Sequence, residues 1–282
     1  LHTNAIQKMV EKIIHKYIQD LNRLREDERE FKKYTYTLSE DGKRDLNQFN
    51  RFTIGVGLFN DLRVPDDYSI VRRLFEEEVK HRHANTDNYD FEVIYMYCYF
   101  LSEFGVIEDI WDFAALKFDG TMDADSGFET GFFLTYGKEK LRHYVTSSNH
   151  RLQTRIIETV FSDETLYSED SGKAYKEQQI AYFGLKKPVG IPLGFYMRLH
   201  EKEYFKAAFE TWKSETDLTD KRNAYEYVNF AEYLGEEGEI RSAMENHVRV
   251  NPRSWMSDKY KKLLNPDQNK SLLHRIINWF MK

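Results

Sequence analysis

The stretch Tyr97-Cys-Tyr-Phe100-Leu-Ser-Glu-Phe104-Gly105 returns in altered form as Tyr227-Val-Asn-Phe230-Ala-Glu-Tyr-Leu234-Gly235. In each copy the large apolar side chains are spaced by three and then four residues, which places them on one face of an α-helix. A glycine follows at once, and glycine most freely takes the left-handed conformation that ends a helix. Ile110 and Ile240 stand at the same distance beyond the two glycines. Helix, glycine corner, helix is therefore written twice, with the spacing of an array of stacked helix pairs.

Working outward, residues 89–104 are apolar on nearly every side, so this helix belongs in the middle of an array. A helix over 107–116 turns Ile110, Trp111, Ala114 and Ala115 inward. The first helix is expected over residues 4–33, capped by Thr3, with Ile6, Val10, Ile13, Tyr17, Leu21, Leu24 and Phe31 along one stripe. The alternating charges at 25–30 read as a solvated face. After a polar break at Ser39-Glu-Asp-Gly42, Leu46, Phe49, Phe52 and Val56 resume the helical spacing. Val64-Pro-Asp-Asp67 reads as a turn and helix start, leading to a helix over 67–80 that buries Ile70, Val71, Leu74 and Phe75. Further helices are expected at 196–213, 220–234, 238–250, 255–264 and 271–281. The stretch Gly184-Leu-Lys-Lys-Pro-Val-Gly-Ile-Pro-Leu-Gly194 interrupts them, because its prolines and glycines forbid a continuous helix. The expected fold is all-α: stacked antiparallel helix pairs, an α-solenoid-like array. It divides into lobes at 1–183 and 195–282 or forms one continuous domain.

Composition agrees. Five prolines and 14 glycines in 282 residues are few for a turn-rich β architecture. Twenty Phe, 19 Tyr and 4 Trp supply large side chains for cores and interfaces. A net charge of −6 argues against nucleic acid and is compatible with a basic protein partner. The single cysteine, Cys98, lies in an apolar run and reads as a small buried hydrophobe. No apolar stretch approaches the roughly 20 residues that span a bilayer, and the N-terminal stretch lacks a signal-peptide core, so a cytoplasmic setting is expected.

Phe118-Asp-Gly-Thr-Met-Asp-Ala-Asp-Ser-Gly-Phe-Glu-Thr-Gly-Phe-Phe133 gathers four carboxylates, Asp119, Asp123, Asp125 and Glu129. A calcium-binding EF-hand loop needs glycine at its sixth place and glutamate at its twelfth. Counting from Asp119 gives Ala124 and Thr130, and counting from Asp123 gives Phe128 and Leu134. Neither register fits, and a helix corner capped by Asp123 or Asp125 is the better reading. Glu78 and His81 form a Glu-x-x-His pair on one helical face, as di-iron bundles use, but the second copy that such a site needs is missing. A solvated helix end is the default there, with Glu78 and His81 kept as the alternative metal pair. Gly55-Val-Gly57 lacks the rest of a phosphate loop and reads as close helix packing. No His-Glu-x-x-His, nucleotide fingerprint or nucleophile elbow occurs. The terminal stripe Leu272, Leu273, Ile276, Ile277 and Phe280, flanked by Lys270, Arg275 and Lys282, reads as a cap on a core before a membrane-surface helix.

Residues 225–252 resemble a tetratricopeptide-type helix pair, with Gly235 at the corner and Asn251-Pro252 closing the unit. They depart at Tyr227-Val228 and at Ile240. Residues 97–144, through Phe118-Asp119, Gly127-Phe-Glu129 and the helix start at Gly137, are similar to the helical-repeat immunity proteins of bacterial toxins. These resemblances imply a binding protein without catalytic residues or cofactor. The expectation is a bacterial, non-catalytic protein-binding chain, an immunity protein masking a basic toxin domain in its most concrete form. The candidate contact residues are the acidic Asp119, Asp123, Asp125, Glu129, Glu236 and Glu237, with Trp111, Tyr136, Trp212 and Tyr233 as aromatic anchors. Core burial competes for each of the four aromatics. The alternative is an enzyme or metal protein whose site joins residues 76–83 to residues 119–125.

Overall fold

In the computed structural model, residues 2–84, 91–119, 130–162, 171–183, 197 and 202–264 are described. Regular structure among them is helical, apart from an isolated antiparallel bridge between Leu38 and Asp45. The chain divides into two compact units, Gln7–Ile191 and Pro192–Lys282 with Leu1–Ile6. The expected helix over 271–281, the interruption at 184–194 and most of the acidic stretch, 120–129, lie outside the described residues.

The helix α1 (His2–Glu26), which belongs to the first unit from Gln7 onward, already begins at His2, so Thr3 lies inside the helix and not at its cap position. The helix ends at Glu26 and does not run on to residue 33. Asp27 stops it: its carboxylate accepts the Arg29 backbone N–H at 3.0 Å and starts a separate 3-10 turn, Glu28–Lys33. Then come α2 (Gln48–Asp61), α3 (Tyr68–Ala84) and α4 (Phe91–Phe104). Both α2 and α3 pack on α4. The apolar sequence of α4 is matched by its surroundings: Ile94, Met96, Tyr97, Cys98, Phe100 and Leu101 are fully buried. The burial of Cys98 pushes its thiol well above the ordinary range. Of the residues that resume the helical spacing, Leu46 precedes α2 and is exposed, as is Phe49, while Phe52 and Val56 are buried.

Gly55 and Gly57 do serve close packing. A Cβ at Gly57 would lie 2.9 Å from the Tyr17 carbonyl oxygen on α1, and one at Gly55 would meet the Met96 sulfur on α4. Beyond α4 follow α5 (Ile110–Phe118), the single turn α6 (Gly131–Leu134), α7 (Lys138–Thr146), α8 (Gln153–Val160) and α9 (Ser171–Phe183). Phe113 of α5 packs against Phe75, Phe132 and Tyr136, and Tyr175 of α9 closes on Phe132 with ring centroids 4.9 Å apart.

The second unit holds α10 (Lys202–Glu215), α11 (Lys221–Leu234), α12 (Glu237–Val250) and α13 (Trp255–Leu264), each packed on the next. The Asp220 carboxylate caps α11 by accepting the backbone N–H groups of Arg222 and Asn223 at 2.9 and 3.1 Å. Such a cap is worth about 1 kcal/mol. Gly235 ends α11 with φ +79°, as Gly105 ends α4 with φ +68°, so the two corners read from the sequence share one backbone device. Phe205, Phe209, Phe230 and Tyr227 form the core between α10 and α11.

Candidate functional site

The most chemistry-like constellation in the first unit is interior. On α3, Val71, Leu74 and Phe75 are buried, and the same stripe continues through Glu78 and His81. Helical phase therefore carries a carboxylate and an imidazole inward: the helix end expected to be solvated is exposed at Glu76, Lys80 and His83, but not at Glu78 and His81. Facing them on α2 is Arg51. The side chains of Asp45, Arg51, Glu78 and His81 are all fully buried. The Arg51 Nε donates to Glu78 Oε1 at 2.5 Å and its Nη1 to the Tyr34 carbonyl at 3.0 Å, while Nη2 donates to Asp45. The Tyr97 hydroxyl donates to the Arg51 carbonyl at 2.6 Å, and the Gln48 amide lies 3.4 Å from Glu78 Oε2. Tyr36 stacks on the His81 ring with centroids 5.7 Å apart. Arg51, placed between Glu78 and Asp45, takes the lone pairs a cation would need. No group of three or more His, Cys, Asp or Glu side chains able to hold a metal ion occurs among the described residues.

This cluster fastens a strap, residues 34–47, across α2 and α3. The Tyr36 backbone N–H donates to Glu77 Oε2 at 2.7 Å, the Thr37 N–H to Asp45 Oδ1 at 3.1 Å, and the Asn47 amide to the Thr35 carbonyl at 2.8 Å.

An open groove of ≈ 520 Å³ lies between the end of α1 and the start of α3. Leu24, Phe31 and Ile70 line it, with Arg25, Arg63 and Arg73 around them. Asp61 and Asp67 hold the Arg25 guanidinium, and Arg73 lies over the Phe31 ring at 3.9 Å while pairing with Glu28 at 3.0 Å. The cations here are matched by anions, so the groove singles out no ligand charge.

The expected contact residues fall in different settings. Asp119 is exposed and pairs with Arg151, Nη1 to Oδ1 at 2.7 Å. Asp123, Asp125 and Glu129 lie outside the described residues. Trp111 is half-buried, donating to the Tyr144 hydroxyl at 3.1 Å and stacking on His150 at 4.1 Å. Tyr136 is 7 % exposed and belongs to the core. In the second unit, half-buried Trp212 meets the Phe230 ring edge-on at 5.0 Å, and half-buried Tyr233 meets Phe205 at 4.7 Å. Glu236 and Glu237 are exposed at the α11–α12 corner, Glu236 paired with Lys206.

One aromatic that sequence reading passed over stands out at the surface. Trp255 is 74 % exposed, and Lys259 sits 5.8 Å from its ring centroid. Its backbone is well fixed. The Asn251 amide donates to the Lys221 carbonyl at 3.2 Å, Ser257 Oγ to the Asn251 carbonyl at 2.5 Å, and the Ser257 N–H to Ser254 Oγ at 3.0 Å. Tyr225 on α11 is 44 % exposed, and its ring meets the buried His247, which also meets Tyr260 of α13 and lies 3.2 Å from Ser254 Oγ. The signal was available: Met256, Tyr260 and Leu263 mark the inner stripe of α13, and Trp255 falls off it with Lys259 and Lys262.

The chain matches no known family model, no curated protein and no solved structure.

Proposed function

We propose that the chain is a non-catalytic protein-binding helical array. The observation that carries this reading is Trp255, a large aromatic held in water on a helix whose entry is locked by hydrogen bonds. Tryptophan on a fixed scaffold is the typical energetic anchor of a protein interface. The charged groups of the first unit that are fully buried turn to one another, so the recognisable chemistry supports architecture and leaves recognition to the surface. The concrete form of the reading is an immunity protein that masks a basic toxin domain in a bacterial cytoplasm. A net charge of −6 and the exposed Glu236 and Glu237 support a basic partner.

The test immobilises the chain and its Trp255→Ala variant against an extract of the native cell, and measures the captured partner's affinity for both. A basic partner whose affinity falls by roughly 30-fold or more in the variant is expected, the loss of an anchor worth about 2 kcal/mol. Equal affinity for both proteins removes Trp255 from the interface, and turnover of a small substrate by the purified chain removes the reading. Rescue of growth when the chain is co-expressed with a captured toxin decides the immunity form.

A further inference from the structure

The Arg51 cluster contains more acid than base. Asp45 and Glu78 both point at one guanidinium, with His81 Nδ1 3.6 Å from Asp45 Oδ2. With both carboxylates ionised and His81 neutral, the four groups sum to −1 where water does not reach. A buried site relieves such an excess by taking up a proton. The groups facing it come from every neighbouring element. Arg51 and Gln48 come from α2, Glu78 and His81 from α3, Tyr97 from α4, and Asp45, Tyr36 and the Tyr34 carbonyl from the strap. Lys80, the nearby cation at the edge, is paired with Glu77 at 2.6 Å.

Glu78 and His81 can each accept the proton, and the geometry favours Glu78. Its Oε1 takes the Arg51 donor, while Oε2 receives the long donation from Gln48 Nε2 at 3.4 Å, the weaker of the two bonds, and is the oxygen placed to carry a proton. A charged His81 would add a second cation near Arg51. Burial raises the Glu78 carboxyl to about 7, Arg51 offsetting only part of this, and burial lowers His81 to about 4.

We propose that the folded chain keeps one proton on the Glu78 carboxyl near neutrality, and that losing it unlatches the strap, residues 34–47, from α2 and α3. Ionised Glu78 places a second carboxylate charge beside Asp45 at the one guanidinium. The repulsion acts across the contact of α3 with the strap, which Asp45 and the Tyr34 carbonyl fasten to Arg51.

Glu78→Gln mimics the protonated acid without its charge. Two readouts are taken at about pH 6.5 and about pH 8.5: thermal unfolding, and trypsin cleavage at the exposed Lys43 and Arg44 of the strap, scaled to a free peptide of the same sequence. The wild type is expected to be nicked several-fold faster at the higher pH after scaling. The variant should stay at the slow rate and unfold at an equal or higher temperature than the wild type at about pH 8.5. A variant that is markedly less stable at both pH values, as when one side of an ion pair is lost, overturns the proposal. So does wild-type nicking that merely tracks the peptide. Should the variant not fold, infrared difference spectra of the wild type decide: a protonated-carboxyl band lost between the two pH values supports the proposal, and its absence overturns it.

Discussion

Arg51→Met tests the buried cluster most severely. Among the described residues Arg51 heads the fully buried side chains in volume, and its guanidinium serves Glu78, Asp45 and the Tyr34 carbonyl. Methionine matches much of its length and supplies no donor. Three acceptors then lose their partner, and two of them are carboxylates. Breaking one side of a buried ion pair costs about 3–5 kcal/mol. That is a large part of the roughly 5–15 kcal/mol that stabilises a typical domain. The cost is also tied to pH. In the variant the Glu78 carboxyl, already raised by burial, also loses the cation that offsets part of that rise, so the folded state binds more protons than the unfolded one and stability falls as pH rises. The expected loss is therefore about 3–5 kcal/mol near pH 8 and clearly smaller near pH 5. Guanidinium unfolding reports it, followed by Trp111 emission with the other three tryptophans changed to Phe, which confines the probe to the first unit. A loss below about 1 kcal/mol, or one equal at both pH values, refutes the assignment of Arg51 as the counter-charge of two buried carboxylates.

The remaining predictions concern packing and titration. Gly57→Ala drives a methyl group to 2.9 Å from the Tyr17 carbonyl oxygen, and a loss of about 1–3 kcal/mol in the same unfolding assay is expected. The pH dependence of Glu78→Gln and His81→Gln should have opposite signs. Glu78 is raised in the fold, so its contribution is complete below its ordinary value near 4.5 and lost as pH rises through about 7. His81 is lowered, so its contribution is present above its ordinary 6.5 and lost as pH falls through about 4. The two slopes oppose each other in the wild type. His81→Gln leaves a chain that gains stability as pH falls from 7 towards 5, and Glu78→Gln leaves one that loses it, each by up to about 1.4 kcal/mol per pH unit. Slopes of the same sign would remove the paired reading.

The second unit was the more legible part. α11 and α12 were found almost to the residue, because Asp220 and Gly235 are local devices that act on their own helix wherever it packs. The apolar α4 and the buried Cys98 followed from composition alone. What the sequence concealed was polar burial. Glu76 to His83 reads as a charged surface run by residue type, and only the phase running 71, 74, 75, 78, 81 shows that Glu78 and His81 turn inward. Their partners Arg51 and Asp45 are distant in sequence, and no local spacing announces such a contact. Asp27 broke the first helix because its carboxylate competes for backbone donors, an effect that the apolar stripe across residues 6–31 masked. Trp255 was missed for the opposite reason, an aromatic identity outweighing a phase that pointed outward.

The all-round apolar character of α4 has a cost while the chain is being made. Val93–Leu101 reads Val-Ile-Tyr-Met-Tyr-Cys-Tyr-Phe-Leu, uncharged, free of proline and rich in β-prone side chains. Such a run, left bare, is a nucleus for intermolecular β-aggregation. α2 and α3 precede it and can shield part of it at once, whereas α6 and α9, which cover it too, are synthesised later. A nascent chain halted before α9 therefore displays to its neighbours a segment that the finished protein buries almost throughout.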